Sequence, residues 1–143
     1  MKKIMNVGKR IRSIRLFRNM TQKELGDKLG YNNSPTIRIA QYESGMRSPQ
    51  KEPMKNFADA LDVSFDAIDV PTIEDSTKLM HTLFALEEFF DLRITVLDNK
   101  VCLTFGEEAE PLLSEWYEKY KSFQNGDISE NEYKNWQYNY KRK

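Results

Sequence analysis

Helix start and stop signals follow one another closely in the first 70 residues, and they restrict this stretch to a series of short helices. Thr21 and Glu24 have the spacing of a capping box, in which each side chain accepts a hydrogen bond from the backbone N–H of the other residue. Gly30 ends the helix that Thr21 starts, since glycine readily takes the left-handed conformation of a C-cap. Ser34-Pro35 starts the next helix, with a capping hydroxyl followed by a proline where no amide is needed.

Similar signals place three more helices before Pro71 and end the third helix. An apolar stripe at i, i+4 and i+7 predicts a first helix over residues 5–18. Gly45 ends the third helix, a fourth helix starts near Gln50, and Ser64 caps a short fifth one. The predicted buried face of the fourth helix consists of Met54, Phe57, Ala58 and Leu61.

The pattern changes in the second half of the chain. Residues 73–90 carry a wide apolar helical face, and residues 107–123 repeat a helical pattern. Between them, apolar residues alternate on either side of Asp98-Asn99, which fits a two-residue hairpin turn. Ser129 and Glu132 have the spacing of a second capping box, which predicts a last helix.

These patterns predict a mainly α protein in two parts. Residues 1–70 form an N-terminal domain of five helices, and residues 71–143 form a C-terminal segment of helices with a short β-hairpin. We expect the C-terminal segment to serve in dimerisation or in binding a protein partner. Its aromatic residues fit two interpretations, packing between helices or anchoring an interface. They are Trp116, Tyr117, Tyr120, Phe123, Tyr133, Trp136, Tyr138 and Tyr140.

The zero net charge of the chain conceals an uneven distribution. Residues 1–70 carry 13 Lys and Arg against 8 Asp and Glu, a balance of +5, whereas residues 71–143 carry 9 against 14, a balance of −5. Seven bases and no acids lie within the first 18 residues. This distribution indicates that only the front half faces an anionic partner, although imbalances of this size also occur on ordinary protein surfaces.

The composition gives little support for an enzyme. The single Cys and the single His, Cys102 and His81, cannot form a zinc cluster, and no glycine-rich phosphate loop is present. We therefore expect no enzymatic activity, no metal and no cofactor. One Cys cannot form an intramolecular disulfide, and no apolar run is long enough to cross a bilayer. The chain starts with two lysines after Met1, as a signal peptide can, but bases at positions 9–18 occupy the place of its apolar stretch. We expect a cytoplasmic protein with no membrane partner.

Six short motifs occur in order within residues 7–68, at residues 10–15, 21–25, 29–30, 39–45, 47–49 and 58–64. With these motifs and the helix caps between them, the stretch resembles the lambda-repressor/Cro type of helix-turn-helix domain, the Xre family. The resemblance implies five helices around one small core. It also implies that the second and third helices form a DNA-binding unit whose third helix lies in the major groove.

The resemblance further implies that outward residues near the start of the third helix contact bases. Ile39 and Tyr42 match buried positions of the family, so the opposite side of the helix faces the groove. The predicted base-contacting residues are Thr36, Ile37, Arg38 and Gln41.

Each of these side chains suits a particular base edge. Arg38 matches O6 and N7 of guanine, with a phosphate contact or a solvated side chain as the alternative. Gln41 can pair with adenine, and Thr36 or Ile37 can meet a thymine methyl group. The alternative for Ile37 is packing in the core.

Phosphate contacts are expected on both sides of the third helix. Gln22 and Lys23 stand at the start of the second helix, and Arg47 and Lys51 follow the third. Arg10 and Arg12 are weaker candidates.

One basic residue has a different expected role. In the family, the arginine that matches Arg15 pairs internally with the glutamate that matches Glu43, so we expect a structural ion pair between them. Loss of one partner would leave a poorly solvated charge, at a cost of about 3 kcal/mol.

The chain departs from the family pattern in two places. The turn between the second and third helices is longer, so Asn32 or Asn33 can also reach the DNA. Leu16 and Phe17 occupy positions that are usually polar, and we hypothesise that they pack on the C-terminal segment or on a second subunit.

Taken together, the sequence predicts a DNA-binding transcriptional regulator, a repressor that binds double-stranded DNA as a homodimer at a pseudo-palindromic operator. Two alternatives remain open. One is an antitoxin-like protein whose acidic tail masks a protein partner, and the other is a helix-turn-helix fold used only as an interaction module.

Overall fold

The computed structural model describes residues 5–142, which divide into two compact units. Unit 1 comprises residues 5–74 and 134–142, and unit 2 comprises residues 75–133. The fold is mainly α with one antiparallel hairpin, which confirms the predicted class. The elements in chain order are α1 (Val7–Phe17), α2 (Gln22–Lys28), α3 (Pro35–Ser44), α4 (Lys51–Leu61), a 3-10 turn (Phe65–Ala67), α5 (Ser76–Phe90), β1 (Arg93–Leu97), β2 (Lys100–Thr104), α6 (Glu110–Gln124) and α7 (Glu130–Tyr138).

The helix caps of unit 1 largely follow the sequence signals. The Thr21 N–H donates to Glu24 Oε2 at 2.7 Å and the Glu24 N–H donates to Thr21 Oγ1 at 3.1 Å, which confirms the predicted capping box. Gly30 and Gly45 follow α2 and α3 with φ of 75° and 82°, a conformation that favours glycine. These caps fix both ends of α2 and the end of α3.

The predicted hydroxyl cap at Ser34 is wrong. Ser34 does precede α3, and Pro35 is the first helical residue, but the Ser34 backbone is left-handed, with φ 53° and ψ 50°. Within the described residues its side chain makes no capping hydrogen bond. A capping hydroxyl reaches the next turn when its own backbone is extended, and the left-handed turn into α3 removes that geometry.

Unit 1 is built around one core of fully buried side chains. Ile11 and Ile14 of α1, Leu25 of α2 and Ile39 of α3 all lie in it. The predicted face of α4 is buried against them, which confirms Met54, Phe57, Ala58 and Leu61 as core residues. Because all four helices contribute side chains to this core, the position of α3 depends on the packing of the whole unit.

The end of α7 completes this core. Tyr138 is buried, its ring packs edge-on against Phe17 at 5.2 Å between centroids, and its carbonyl accepts from the Ser64 N–H at 3.0 Å. Arg142 then pairs with the Asp62 carboxylate at 2.7 Å, which lowers the pKa of Asp62. The unusual apolar residue Phe17 is therefore covered by the C-terminal end of the chain, as hypothesised, whereas Leu16 is half exposed.

Unit 2 contains the predicted hairpin. β1 and β2 pair in antiparallel register, with Arg93 opposite Thr104 and Leu97 opposite Lys100. Asp98 and Asn99 form the two-residue turn, both with positive φ, which is the conformation that such a turn requires. The second capping box is also confirmed, because the Ser129 and Glu132 N–H groups each donate to the other side chain.

Candidate nucleic-acid interface

Two glycines allow other helices to approach α3 closely. A Cβ atom at Gly26 of α2 would lie 2.5 Å from Pro35 Cβ, and a Cβ atom at Gly8 of α1 would overlap the Tyr42 carbonyl oxygen. Any larger residue at either position would force α3 away from its neighbour. The orientation of α3 is therefore held at both of its ends by close packing.

The two sides of α3 differ in burial. Ile39 is fully buried and Glu43 is 2% exposed, so this side faces the core. Ile37 and Arg38 are exposed on the other side, where Gln41 is half-buried, and Thr36 is exposed in the first turn. Ile37 is 59% exposed and so does not pack in the core. Ile37, Arg38 and Gln41 thus form one accessible strip along α3, and Thr36 is accessible at its N-terminal end.

Arg38 is ordered against an aromatic ring. Its guanidinium carbon lies 4.9 Å from the centroid of Tyr31, in the long turn before α3. Tyr31 in turn interacts with the Tyr42 side chain, whose ring packs edge-on against the core residue Phe57 at 5.1 Å. A chain of aromatic contacts therefore connects the Arg38 side chain to the core of unit 1.

The environment of Tyr31 favours its neutral form. Burial, followed by the hydrogen bond with Tyr42, raises the pKa of Tyr31 to about 12. Nearby Arg38 and Arg47 act in the opposite direction, but their effect is smaller. Tyr31 therefore remains an uncharged ring beneath Arg38 across the physiological range.

A buried ion pair joins the helices behind this strip. Arg15 Nε donates to Glu43 Oε1 at 2.5 Å and Arg15 Nη2 donates to Oε2 at 3.0 Å. The remaining guanidinium nitrogen donates to the Met20 carbonyl at 2.6 Å, and Gln22 Nε2 donates to Glu43 Oε2 at 2.9 Å. The charges satisfy each other in a nearly solvent-free position and tie α1, α2 and α3 together.

The comparison with known families agrees with this geometry. Residues 11–68 match a family model described as Helix-turn-helix. This stretch is a helix-turn-helix domain of the lambda repressor/Cro type. The domain is that of DNA-binding regulators and is not typically enzymatic. The C-terminal part of the chain has no family match, and no curated protein and no solved structure gives a significant match to the chain.

The four predicted phosphate-contacting residues of the helix-turn-helix domain occupy different settings. Gln22, the first residue of α2, uses one amide hydrogen for Glu43 and keeps a second for another acceptor. Lys23 pairs with Asp27 at 2.7 Å, which raises the pKa of Lys23. Arg47 and Lys51 are exposed beyond the end of α3.

The weaker basic candidates divide into two groups. Arg12 is exposed on α1. Arg10 donates to the Ala67 carbonyl at 2.7 Å and lies over the Tyr138 ring at 4.9 Å, so it holds the helix-turn-helix domain to the end of α7. Arg18 acts in a similar way, donating to the Leu61 carbonyl of α4 and to Asn135 Oδ1 of α7, both at 2.9 Å.

The division into units sharpens the charge asymmetry. Unit 1, with the helix-turn-helix domain, has 14 Lys and Arg against 9 Asp and Glu in residues 5–74 and 134–142, a balance of +5. Unit 2 has 5 against 13, a balance of −8. The field that attracts an anionic partner therefore belongs to the unit that carries α3.

Two interactions of this site were missed from the sequence. The stacking of Arg38 on Tyr31 and the bond between Gln22 and Glu43 both join residues from different elements. An aromatic residue in the turn before the third helix was a usable signal for the first. Nothing in the local pattern around Gln22 indicates the second, because Glu43 lies 21 positions away.

Among residues 5–142, no group of three or more His, Cys, Asp or Glu side chains could hold a metal ion. Within the same range, no helix has both the length and the apolar character needed to span a bilayer.

Proposed function

We propose that this protein is a sequence-specific transcriptional repressor that binds a pseudo-palindromic operator as a homodimer, with α3 lying in the major groove. The observation that carries the proposal is the two-sided character of α3. Its inner side is fixed by buried contacts, and its outer side presents an accessible strip of polar and apolar side chains. A rigid helix with an open outer side is what the major groove admits.

In this proposal, the accessible residues of α3 contact the bases. Arg38 donates to O6 and N7 of a guanine, and Gln41 pairs with an adenine. Thr36 and Ile37 contact thymine methyl groups, a role that the exposure of Ile37 supports. Asn32 and Asn33, exposed in the preceding turn, extend the same surface.

Phosphate contacts position the domain. Lys23 and the second amide hydrogen of Gln22 bind the backbone on one side of α3, and Arg47 and Lys51 bind it on the other. Asp27 holds Lys23 in the free protein, so DNA binding exchanges a surface ion pair for a phosphate contact. Such an exchange costs little, because exposed pairs contribute little to stability.

The decisive experiment is selection of bound sequences from a random duplex pool at physiological salt. We expect two half-sites in inverted orientation, centred about 34 Å apart, which is one helical turn. The affinity for the selected duplex should fall with rising salt, with a log–log slope of about −0.9 for each phosphate contacted. Recovery of no enriched sequence at any salt concentration would contradict the proposal.

An antitoxin-like or other protein-interaction role is the alternative, and the −8 balance of unit 2 favours it. An acidic unit attracts a basic protein partner. This alternative predicts a stable complex with a basic protein, together with weak or absent selection of an operator.

A further inference from the structure

Unit 2 leaves most of its apolar side chains in solvent. Within residues 75–133, all of which the structure describes, 14 large hydrophobic side chains are at least 44% exposed. The buried hydrophobic side chains of the same range are Leu92 and Tyr133. An arrangement of this kind has almost no core of its own.

The hairpin is the most exposed part of this surface. Nine of its ten strand residues are exposed, and Cys102 is the half-buried exception. Side chains of a strand alternate between the two faces, so both faces of the sheet are open. A lone two-stranded hairpin is marginally stable at best in water, and stable sheets pack against a further layer.

The apolar area is large enough for a stable interface. Phe, Tyr and Trp side chains each bury about 150–250 Å², and the six aromatic side chains among the 14 are on average a little over half exposed. They alone present on the order of 500–850 Å², to which the eight aliphatic side chains add. A standard protein–protein interface buries about 800 Å² on each partner, and the largest apolar patch of a typical monomer is about 300–600 Å².

We propose that the apolar surface of unit 2, formed by the exposed apolar side chains of α5, β1, β2 and α6, is covered by the same surface of a second copy of this chain. The inference deepens the proposed function, because it supplies the pairing of two α3 helices that a pseudo-palindromic operator requires. A twofold axis through this surface brings the same surface of both copies together, so that apolar side chains of one copy contact apolar side chains of the other.

The position of Glu118 favours a second copy over a basic protein. At 3.6 residues per turn, Leu112, Trp116 and Tyr120 share one side of α6. Glu118 lies on the other side, where it pairs with Lys121 at 3.0 Å. A basic partner seated on the apolar stripe would leave this acid unused, whereas a second apolar stripe does not need it.

The first test is sedimentation equilibrium of the full chain without DNA. It compares Val101→Glu with Met46→Glu, a matched change of an exposed apolar residue in unit 1. Val101 is 69% exposed on β2 and Met46 is 76% exposed after α3. We expect a dimer whose dissociation constant rises roughly 100-fold in Val101→Glu, since a carboxylate then enters the interface, and changes less than about threefold in Met46→Glu.

The second test uses the unmodified protein, in case Val101→Glu does not fold. Amide hydrogen exchange is measured over a range of protein concentrations. We expect amides of the hairpin to exchange faster on dilution, while amides of α1 and α4 keep their protection.

Several results would overturn the proposal. They are a monomer whose hairpin stays protected at every concentration, a dimer that Val101→Glu leaves intact, and a complex containing one copy and a different protein. Because neither measurement contains DNA, a failure here is separate from a failure to select an operator.

Discussion

The two units carry apolar side chains in similar helical patterns, but they bury them to very different degrees. In unit 1 the stripes of α1, α2, α3 and α4 meet in one core that α7 completes. In unit 2, α5 and α6 have no buried residue along their described lengths, and 14 of the 18 exposed large hydrophobic side chains of residues 5–142 lie there. The difference shows that an apolar stripe predicts that a helix side packs against another apolar surface, but not whether that surface belongs to the same chain.

Charge separates the same two regions. Unit 1 has a balance of +5 and is complete without a partner in its core, so its outer surface is free for an anion. Unit 2 has a balance of −8 and an uncovered apolar surface, which suits binding to a protein surface rather than to nucleic acid. In our proposals the two tasks, DNA contact and pairing, are therefore divided between the units.

The largest expected effect comes from a substitution in the buried ion pair of unit 1. Glu43→Gln leaves the Arg15 guanidinium buried beside a neutral group, so the free energy of unfolding should fall by about 3 kcal/mol. Urea unfolding can be followed by Trp136 fluorescence in a Trp116→Phe background, since the chain has two tryptophans and one lies in each unit.

The exposed Lys23–Asp27 pair provides the control for this prediction. Asp27→Asn removes an ion pair in water and should leave the unfolding curve nearly unchanged. Equal stability of Glu43→Gln and the parent protein would show that the buried pair does not support the core.

The next prediction tests whether unit 1 recognises bases through α3. Arg38→Ala should lower affinity for the selected operator by roughly 10- to 100-fold and relax preference at one position of each half-site. Arg47→Ala is the matched control, since loss of a phosphate contact weakens binding to all sequences and reduces the salt slope by about 1. Unchanged base preference in Arg38→Ala would assign Arg38 to the backbone instead.

The two capping boxes allow the same helix-capping interaction to be tested in both units. Thr21→Ala and Ser129→Ala each remove a hydroxyl that accepts a backbone N–H, at an expected cost of about 1 kcal/mol. The first variant should be detected by Trp136 and the second by Trp116. If unit 2 is stabilised by pairing, the unfolding midpoint of Ser129→Ala should depend on protein concentration and that of Thr21→Ala should not.

The two capping boxes also make the stability of the protein depend on pH. Hydrogen bonds from the backbone N–H and then the hydroxyl of Thr21 lower the pKa of Glu24, and those of Ser129 lower the pKa of Glu132. Both folded pKa values lie below the ordinary value of 4.5, so the stabilisation is present above pH 4.5 and lost as the pH falls through the folded value. Acid titration followed by circular dichroism should show this loss, and Thr21→Ala should reduce its unit 1 part without abolishing it, because the backbone N–H of residue 21 still donates to Glu24.

The smallest effect concerns how Arg38 is held. Tyr31→Leu removes the ring under the guanidinium and should weaken operator binding by about two- to fivefold, in line with an exposed cation–π contact. Tyr31→Phe keeps the ring and should bind as the parent does. Equal binding by Tyr31→Leu and Tyr31→Phe would mean that the ring does not position Arg38.

Tyr31→Phe also has a spectroscopic consequence. Tyr31 has a pKa of about 12 against an ordinary value of 10.0, so the folded protein keeps this proton between pH 10 and 12, where the unfolded chain loses it. The associated stability is complete below pH 10 and lost as the pH rises towards 12. Absorbance at alkaline pH should show a late phenolate step that is missing in Tyr31→Phe.

Much of the local structure could be predicted because its causes are local. The box of Thr21 and Glu24, the glycines after α2 and α3, and the turn at Asp98 and Asn99 involve residues within a few positions of each other. Ser34 shows the limit of such signals, because the path into α3 twists its backbone and removes the expected cap.

The candidate site could be predicted only in outline. The resemblance located α3 and the strip that contains Arg38, but not the ring of Tyr31 beneath it. Nor could it show that Tyr138, 121 positions after Phe17, covers that residue. Such contacts depend on where distant elements meet, and no local spacing encodes that.

By itself, the sequence determined where helices and the hairpin begin and end, because caps and turns are satisfied by near neighbours in the chain. It also determined which sides of those elements are apolar, because periodicity follows directly from residue order. Only the tertiary structure decided that the stripes of unit 1 close on one another while those of unit 2 stay open. That outcome depends on whether enough apolar surface from other elements of the same chain comes within contact distance.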